Sequence, residues 1–235
     1  MMNQQIRFFG AIAVRPAVLP LLSRFEAATG YRVETDWALN PAVRKQIEAG
    51  QPFDLVLTNP DLVEQLVRLG KVEARGWTLF GRIAMGVAAQ AGHRRLDIGS
   101  VDGFRHALTG AASIAFASEG TSGAYFLQLL ERVGIAVEMR PKLVPISGGQ
   151  TAPAVGRGEA ELGVVPVTSI LAAAPDVILA GLFPPELQSY IDFAIGISAH
   201  ARDAGAAQQL SNFLMSPDTD STLEAKGVER FPTQG

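Results

Sequence analysis

The chain has 235 residues, 48% hydrophobic and 18% charged, which describes a folded globular protein with length enough for one large domain or two lobes and excludes a disordered one. A net charge of −3 leaves no basic field to invite nucleic acid. The absence of cysteine excludes thiol catalysis, disulfides and thiolate metal sites.

The N-terminus, Met1-Met2-Asn3-Gln4-Gln5-Ile6-Arg7, has neither the charged n-region nor the long h-region of a signal peptide. If this terminus is native the chain is expected to be cytoplasmic; if a signal peptide was removed from it, periplasmic. No apolar run approaches the roughly 20 residues of a membrane span.

A strand is expected from Ile6 to about Ala13, then a helix with Val18, Leu22 and Phe25 on one face and Gly30 at its end. Tyr31 to Ala38 reads as a strand. Asn40-Pro41 reads as the cap and first residue of a helix that buries Val43 and Ile47. Phe53 to Thr58 reads as a short buried strand, and Asn59-Pro60 opens a helix carrying Leu62, Leu66 and Leu69. This alternation predicts a parallel α/β layer.

Alternation stops after Val72, where Trp77–Phe80 and Arg82–Ala89 read as two consecutive strands. A second lobe then follows. Its clearest stretch runs from Ile114 through Ser118-Glu119-Gly120-Thr121-Ser122-Gly123 into Phe126, Leu129, Leu130 and Val133. The order is strand, polar turn, helix, with Thr121 or Ser122 as the cap, and such a helix end holds anions through unpaired N–H donors and the helix dipole. A strand at 142–146 leads to the turn Ser147-Gly148-Gly149-Gln150, whose glycines permit close backbone approach to a ligand. A short helix, a strand at 161–165, a helix near 168–174 and a strand at 177–182 complete the lobe. Tyr190 to Ser198 reads as the strand crossing back, and helices near 202–215 and 217–226 return to the first lobe. The expected fold is therefore α/β, two Rossmann-like lobes with a ligand cleft between them. Lobe 1 is 1–80 plus 198–235, lobe 2 is 81–197, and the crossovers lie near 78–87 and 190–198.

The chain resembles the molybdate-binding branch of the type II periplasmic solute-binding proteins, a branch that also includes aconitate isomerase-like proteins. The resemblance rests on Phe8–Val14, on Arg44-Lys45-Gln46-Ile47-Glu48-Ala49-Gly50-Gln51-Pro52-Phe53-Asp54-Leu55, on Gly123-Ala124-Tyr125 and on Arg157-Gly158-Glu159-Ala160-Glu161-Leu162-Gly163-Val164-Val165. It covers nearly the whole chain and implies the type II fold, a small-molecule anion as ligand, an ABC-type membrane transporter as partner if the chain is exported, a monomer, and no cofactor or metal.

Three positions depart from the pattern the resemblance implies. The serine of the first turn is replaced by Ala13, the serine of the second turn by the Asn40-Pro41 pair, and the late tyrosine of molybdate binders falls at about Pro166. The changed residues add Arg15 and Asn40, with hydroxyls at Thr58, Ser118, Thr121, Ser122, Ser147 and Thr151 and backbone donors near Ser122 and Gly148. A guanidinium with hydroxyls and helix ends suits an organic carboxylate better than a bare oxyanion.

Each of these residues also has a purely structural reading. Arg15 can pair with a surface carboxylate, Asn40 can serve only as a helix cap, and the Ser147–Gln150 turn can be a plain connection. Glu119 is the one carboxylate inside a binding turn and hence the candidate base. The histidines His93, His106 and His200 do not form metal spacing. No serine sits in a nucleophile elbow, and the glycine-rich turns match neither a Walker loop nor a dinucleotide fingerprint. Two functions stay open. One is a binding protein that closes two lobes on a small anion, more an organic carboxylate than molybdate. The other is a cofactor-independent isomerase of an unsaturated tricarboxylate, using a carboxylate base. A third, the detached effector domain of a regulator, has no DNA-binding segment to support it.

Overall fold

The computed structural model describes residues 5–147 and 149–231. The chain divides into two compact units, Met1–Arg82 with Asp192–Gly235, and Ile83–Ile191. Among the described residues no helix is long and apolar enough to cross a membrane.

In chain order the first unit opens with β1 (Gln5–Ala11), a 3-10 turn over Ile12–Val14, α1 (Arg15–Thr29), β2 (Arg32–Ala38), α2 (Asn40–Glu48), β3 (Leu55–Thr58) and α3 (Pro60–Arg68). Helix α1 stops at Gly30, whose φ of 78° is the left-handed turn that a residue without Cβ adopts freely. Next comes β4, one continuous strand over Val72–Gln90. The two separate strands expected there are corrected to this single one. Gly81, the residue between the two expected strands, lies inside it. At Gly81 the backbone of the C-terminal strand comes so close that a Cβ would lie 2.7 Å from the Glu229 carbonyl oxygen, which is a strand glycine's other use.

The second unit continues with α4 (Val101–Gly110), β5 (Ile114–Ala117), α5 (Thr121–Arg132), α6 (Ala136–Met139), β6 (Leu143–Ile146), α7 (Thr151–Gly156), β7 (Leu162–Pro166), α8 (Val167–Ala172) and β8 (Val177–Leu182). Strand β9 (Tyr190–Ser198), α9 (Ala204–Met215), α10 (Asp220–Ala225) and the short β10 (Val228–Glu229) end the chain.

Within the first unit β1 pairs in parallel with both β2 and β3, while β3 pairs antiparallel with β9, Thr58 opposite Ala194. The layer is thus mixed, not wholly parallel. One face of this sheet carries Phe9, Val56 and Ala194, and against it pack Val43 and Ile47 of α2 with Leu62, Val63 and Leu66 of α3. Fully burying each such side chain contributes about 1.5–3 kcal/mol. Arg230 locks the C-terminal segment: its guanidinium donates to the carbonyls of Phe80 (2.8 Å) and Leu214 (2.6 Å) and to Asp220 Oδ1 (2.9 Å).

Within the second unit β5 lies between β6 and β7 in parallel, and β4 pairs antiparallel with β7 and β8. Helices α7 and α8 share a core with Ala88, Val165 and Val177. Gln188 clamps the strand where it enters this unit, accepting from the Met85 N–H (2.9 Å) and donating to the Met85 carbonyl (3.2 Å).

Candidate functional site

In each unit the chain winds first one way and then the other across its first strand. In the first, β1 passes through α1 to β2, and β2 returns through α2 to β3 on the far side of β1. Right-handed crossovers then put α1 and α2 on opposite faces, and a crevice opens at the carboxyl ends of β1 and β3. The second unit repeats this with β5, β6 and β7, so its crevice lies at the carboxyl ends of β5 and β7.

At the carboxyl end of β3, where this topology puts the crevice, runs a directed chain of hydrogen bonds. Thr58, wholly buried, donates its hydroxyl to Asn40 Oδ1 at 2.8 Å. Asn40 Nδ2 donates to Asn59 Oδ1, and Asn59 Nδ2 donates to the Asp192 carbonyl at 3.0 Å. Asn40 is not the helix cap: Leu39 holds that position and Asn40 is the first residue of α2. Its side chain faces Thr58 and Asn59 and does not turn back on the helix. Ala13 sits half-buried in the 3-10 turn after β1. Arg15 opens α1, exposed, its guanidinium without a hydrogen bond or ion pair among the described residues.

Asn59 and Asp192 were not read from sequence as site residues. The signal for Asn59 was its place in a second Asn-Pro pair at a strand end, matching Asn40-Pro41. The signal for Asp192 was a lone acid in the apolar strand Tyr190–Ser198. Partial burial pushes the Asp192 carboxyl above the usual range, and the nearby Arg82 cation pulls it part of the way back.

In the second unit Ser118 ties two strand ends together: its N–H (2.8 Å) and its hydroxyl (3.2 Å) both donate to the Ile146 carbonyl at the end of β6. The cap of α5 is Gly120, with φ 91° and ψ 178°, which corrects the expected capping by Thr121 or Ser122. These are instead the first two residues of the helix. Among the described residues no side chain caps the first turn of α5, and such N–H groups have no intrahelical acceptor. Gly123 explains the tight start, since a Cβ there would collide with the Ala117 carbonyl oxygen.

Glu119 is exposed, with no hydrogen bond or ion pair of its carboxylate among the described residues. Ser147 is exposed in the turn after β6, and Gly148 lies outside the described residues. Thr151, at the start of α7, is 2% exposed, and its hydroxyl has no hydrogen-bond partner among the described residues. The first unit thus brings Asn40 and Thr58 into one network, and Arg15 makes no hydrogen bond to it. In the second, Ser118, Glu119, Thr121 and Ser122 follow one another around one turn, while Ser147 and Thr151 flank the next.

The Asp54-Leu55 motif serves the fold. Asp54, 4% exposed, accepts from the Arg7 N–H (2.8 Å) and the Arg202 N–H (2.7 Å), at the end of β3 away from the crevice. A groove of about 390 Å³ near that end is lined by Arg7, Phe9, Glu34, Asp36 and Gln51. Its acids are already engaged, Glu34 by Gln5 and Asp36 by Gln46. Among the described residues no cluster of three or more histidine or acidic side chains stands ready for a metal ion.

A family model described as bacterial extracellular solute-binding protein matches residues 6–229. The aconitate isomerase of a Pseudomonas species is 28% identical over 218 residues, 89% of this chain and 82% of the relative. The molybdate-binding protein ModA of Azotobacter vinelandii is 29% identical over 222 residues, 88% of this chain and 82% of the relative. Among solved structures, the Azotobacter vinelandii periplasmic molybdate-binding protein superposes with a TM-score of 0.78 at 19% identity, covering 97% of this chain and all of that one. At that identity the likeness shows the fold.

Proposed function

The chain belongs to the bacterial extracellular solute-binding proteins, and on that footing we propose that it binds a small organic anion with at least one carboxylate, in preference to molybdate. The observation that carries this reading is the chain Thr58–Asn40–Asn59 at the crevice of the first unit. Each asparagine amide has two N–H donors and spends one within the protein, so one from each is left for a ligand oxygen. Arg15 opens α1 at the neighbouring strand end with its guanidinium uncommitted, and a planar fork matches a carboxylate in two bonds. Within the second unit, taken by itself, the first turn of α5 presents backbone donors of the kind that favour anions.

Against molybdate stand Ala13, Pro41 and Pro166, none of which offers a side-chain donor. A buried tetrahedral oxyanion loses roughly 1–3 kcal/mol for each missing partner. Delivery to an ABC-type membrane transporter follows if the chain is exported.

A thermal-shift screen of oxyanions and di- and tricarboxylates tests this. A ligand at about 100 times its dissociation constant adds about 2.7 kcal/mol of stability, so a carboxylate should raise the melting temperature and molybdate should not. Arg15→Ala should weaken carboxylate binding by about 1.5–3 kcal/mol; unchanged affinity would return Arg15 to the surface reading.

A second reading, an isomerase of an unsaturated tricarboxylate, is favoured by the likeness to the Pseudomonas aconitate isomerase over most of both chains. The chemistry is a proton shift: a base takes a proton from one carbon, the double bond moves, and the proton returns to another carbon. No metal or redox partner is required. Glu119 is the candidate base. Aconitate incubated with the protein in heavy water should take up deuterium, and Glu119→Gln should slow that strongly while leaving binding largely intact.

A further inference from the structure

In the motif Gly123-Ala124-Tyr125 the glycine sets the start of α5, and the tyrosine has a partner of its own. Tyr125 stands one turn after Thr121, on the same face of the helix. Its phenol hydroxyl donates to the Leu187 carbonyl at 2.7 Å. Arg132 Nη2 donates to the phenol oxygen at 3.3 Å, with the guanidinium 6.0 Å from the ring centroid. Arg132 takes an acceptor position of the phenol, and the single O–H hydrogen goes to Leu187.

Leu187 begins the segment by which the chain leaves the second unit, whose last residue is Ile191. From Leu187 to Ser189 each backbone N–H is bonded. Those of Leu187 and Gln188 donate to the carbonyls of Pro184 (2.9 Å) and Pro185 (3.4 Å), and that of Ser189 donates to Gln188 Oε1 (3.0 Å). The Gln188 amide grips both backbone groups of Met85 on β4, and the Ser189 carbonyl accepts from the Met85 N–H at 3.2 Å. Tyr125 links this segment to the helix whose first turn presents unpaired backbone donors.

We infer that Tyr125 is a positioning residue that couples anion occupancy at the first turn of α5 to the segment Leu187–Ser189. This rests on the reading that an anion takes the backbone donors of that turn. Helix ends fray, and a frayed first turn loosens the grip of Tyr125 on the Leu187 carbonyl. An anion that engages the first N–H groups suppresses the fraying and keeps the Tyr125 bond made. The segment then opens less often, although the ligand need not touch it. The route is short and contiguous: one helical turn, one hydrogen bond, and a segment whose own N–H groups exchange only when it opens.

The test is amide hydrogen exchange read residue by residue by NMR, with and without whichever of citrate, tricarballylate, cis-aconitate and molybdate calorimetry shows to bind. In the wild-type protein the bound anion should slow exchange at Thr121 and Ser122 and also at Leu187, Gln188 and Ser189, the latter by about fivefold or more, the low end of coupling between two sites. Tyr125→Phe keeps the ring and removes the hydroxyl. It should bind the same anion with about the same affinity and keep the slowing at Thr121 and Ser122, but lose the slowing at Leu187–Ser189. A purely structural tyrosine would instead speed exchange of the segment in the free variant and leave the ligand-induced slowing intact. That result, or a wild-type protein whose ligand slows Thr121 and Ser122 but not the segment, overturns the inference and leaves the anion reading standing. If no anion of the panel binds, or if one binds without slowing Thr121 and Ser122, the reading of this helix end falls and takes the inference with it.

Discussion

Thr58 and Asn40 share a hydrogen bond of 2.8 Å that joins the end of β3 to the first residue of α2. The bond fixes which way the Asn40 amide points. With its oxygen held by Thr58, its nitrogen must face Asn59 and the crevice. Thr58→Val keeps the shape of a wholly buried side chain but leaves Asn40 Oδ1 without its donor. The expected cost is about 1–3 kcal/mol of stability, with a loss of carboxylate affinity because the amide is free to flip. Thr58→Ser keeps the hydroxyl and should lose less on both counts. Chemical denaturation and calorimetry on the two variants check this; equal losses would show that the methyl group, not the hydroxyl, matters.

Gly123 decides where α5 begins. A Cβ at this position would collide with the Ala117 carbonyl oxygen at the end of β5, so Gly123→Ala must push the helix start off the strand. Overpacking of this kind typically costs about 1–3 kcal/mol. The displaced helix end should also bind the ligand more weakly. Gly134, with φ 75° just past the end of α5 and open space around its Cα, is a control: Gly134→Ala strains the backbone but should leave affinity unchanged.

Asp54 separates fold from site. Its buried carboxylate accepts backbone N–H groups from Arg7 and Arg202 and lies away from the crevice. Asp54→Ala removes two charge-assisted bonds and should cost about 3 kcal/mol or more, read as a lower denaturation midpoint. Ligand affinity of the fraction that remains folded should stay the same. A large change in affinity with little change in stability would contradict this assignment.

Much of the fold was legible because its signals are local. Gly30, Gly50 and Gly70 end the first three helices with positive φ, a conformation that glycine adopts without strain. Apolar runs such as Leu55-Val56-Leu57 announce buried strands. Strand β4 reads in sequence as two strands on either side of Gly81, whereas Gly81 marks the approach of Glu229 from the far end of the chain. The site divides in the same way. Thr58 ends β3 and Asn40 opens α2, both local signals, and both could be picked out. Asn59 could be seen as a helix opener but not as a link in a network, because its partner Asp192 is 133 residues away and meets it only through the pairing of β3 with β9. The cap of α5 was misplaced by one or two residues for a local reason: Thr121 and Ser122 have capping side chains, but the close approach at Gly123 starts the helix at Thr121 and leaves Gly120 to cap it.

The measurement that bears most directly on the central claim is calorimetry of the wild-type protein with molybdate and with a panel of di- and tricarboxylates under the same conditions. The account predicts that at least one carboxylate binds with a dissociation constant of about 1 µM or tighter, some 8 kcal/mol of binding free energy, and that molybdate binds far more weakly or not at all. Molybdate binding tighter than about 1 µM, with no carboxylate bound, would contradict it.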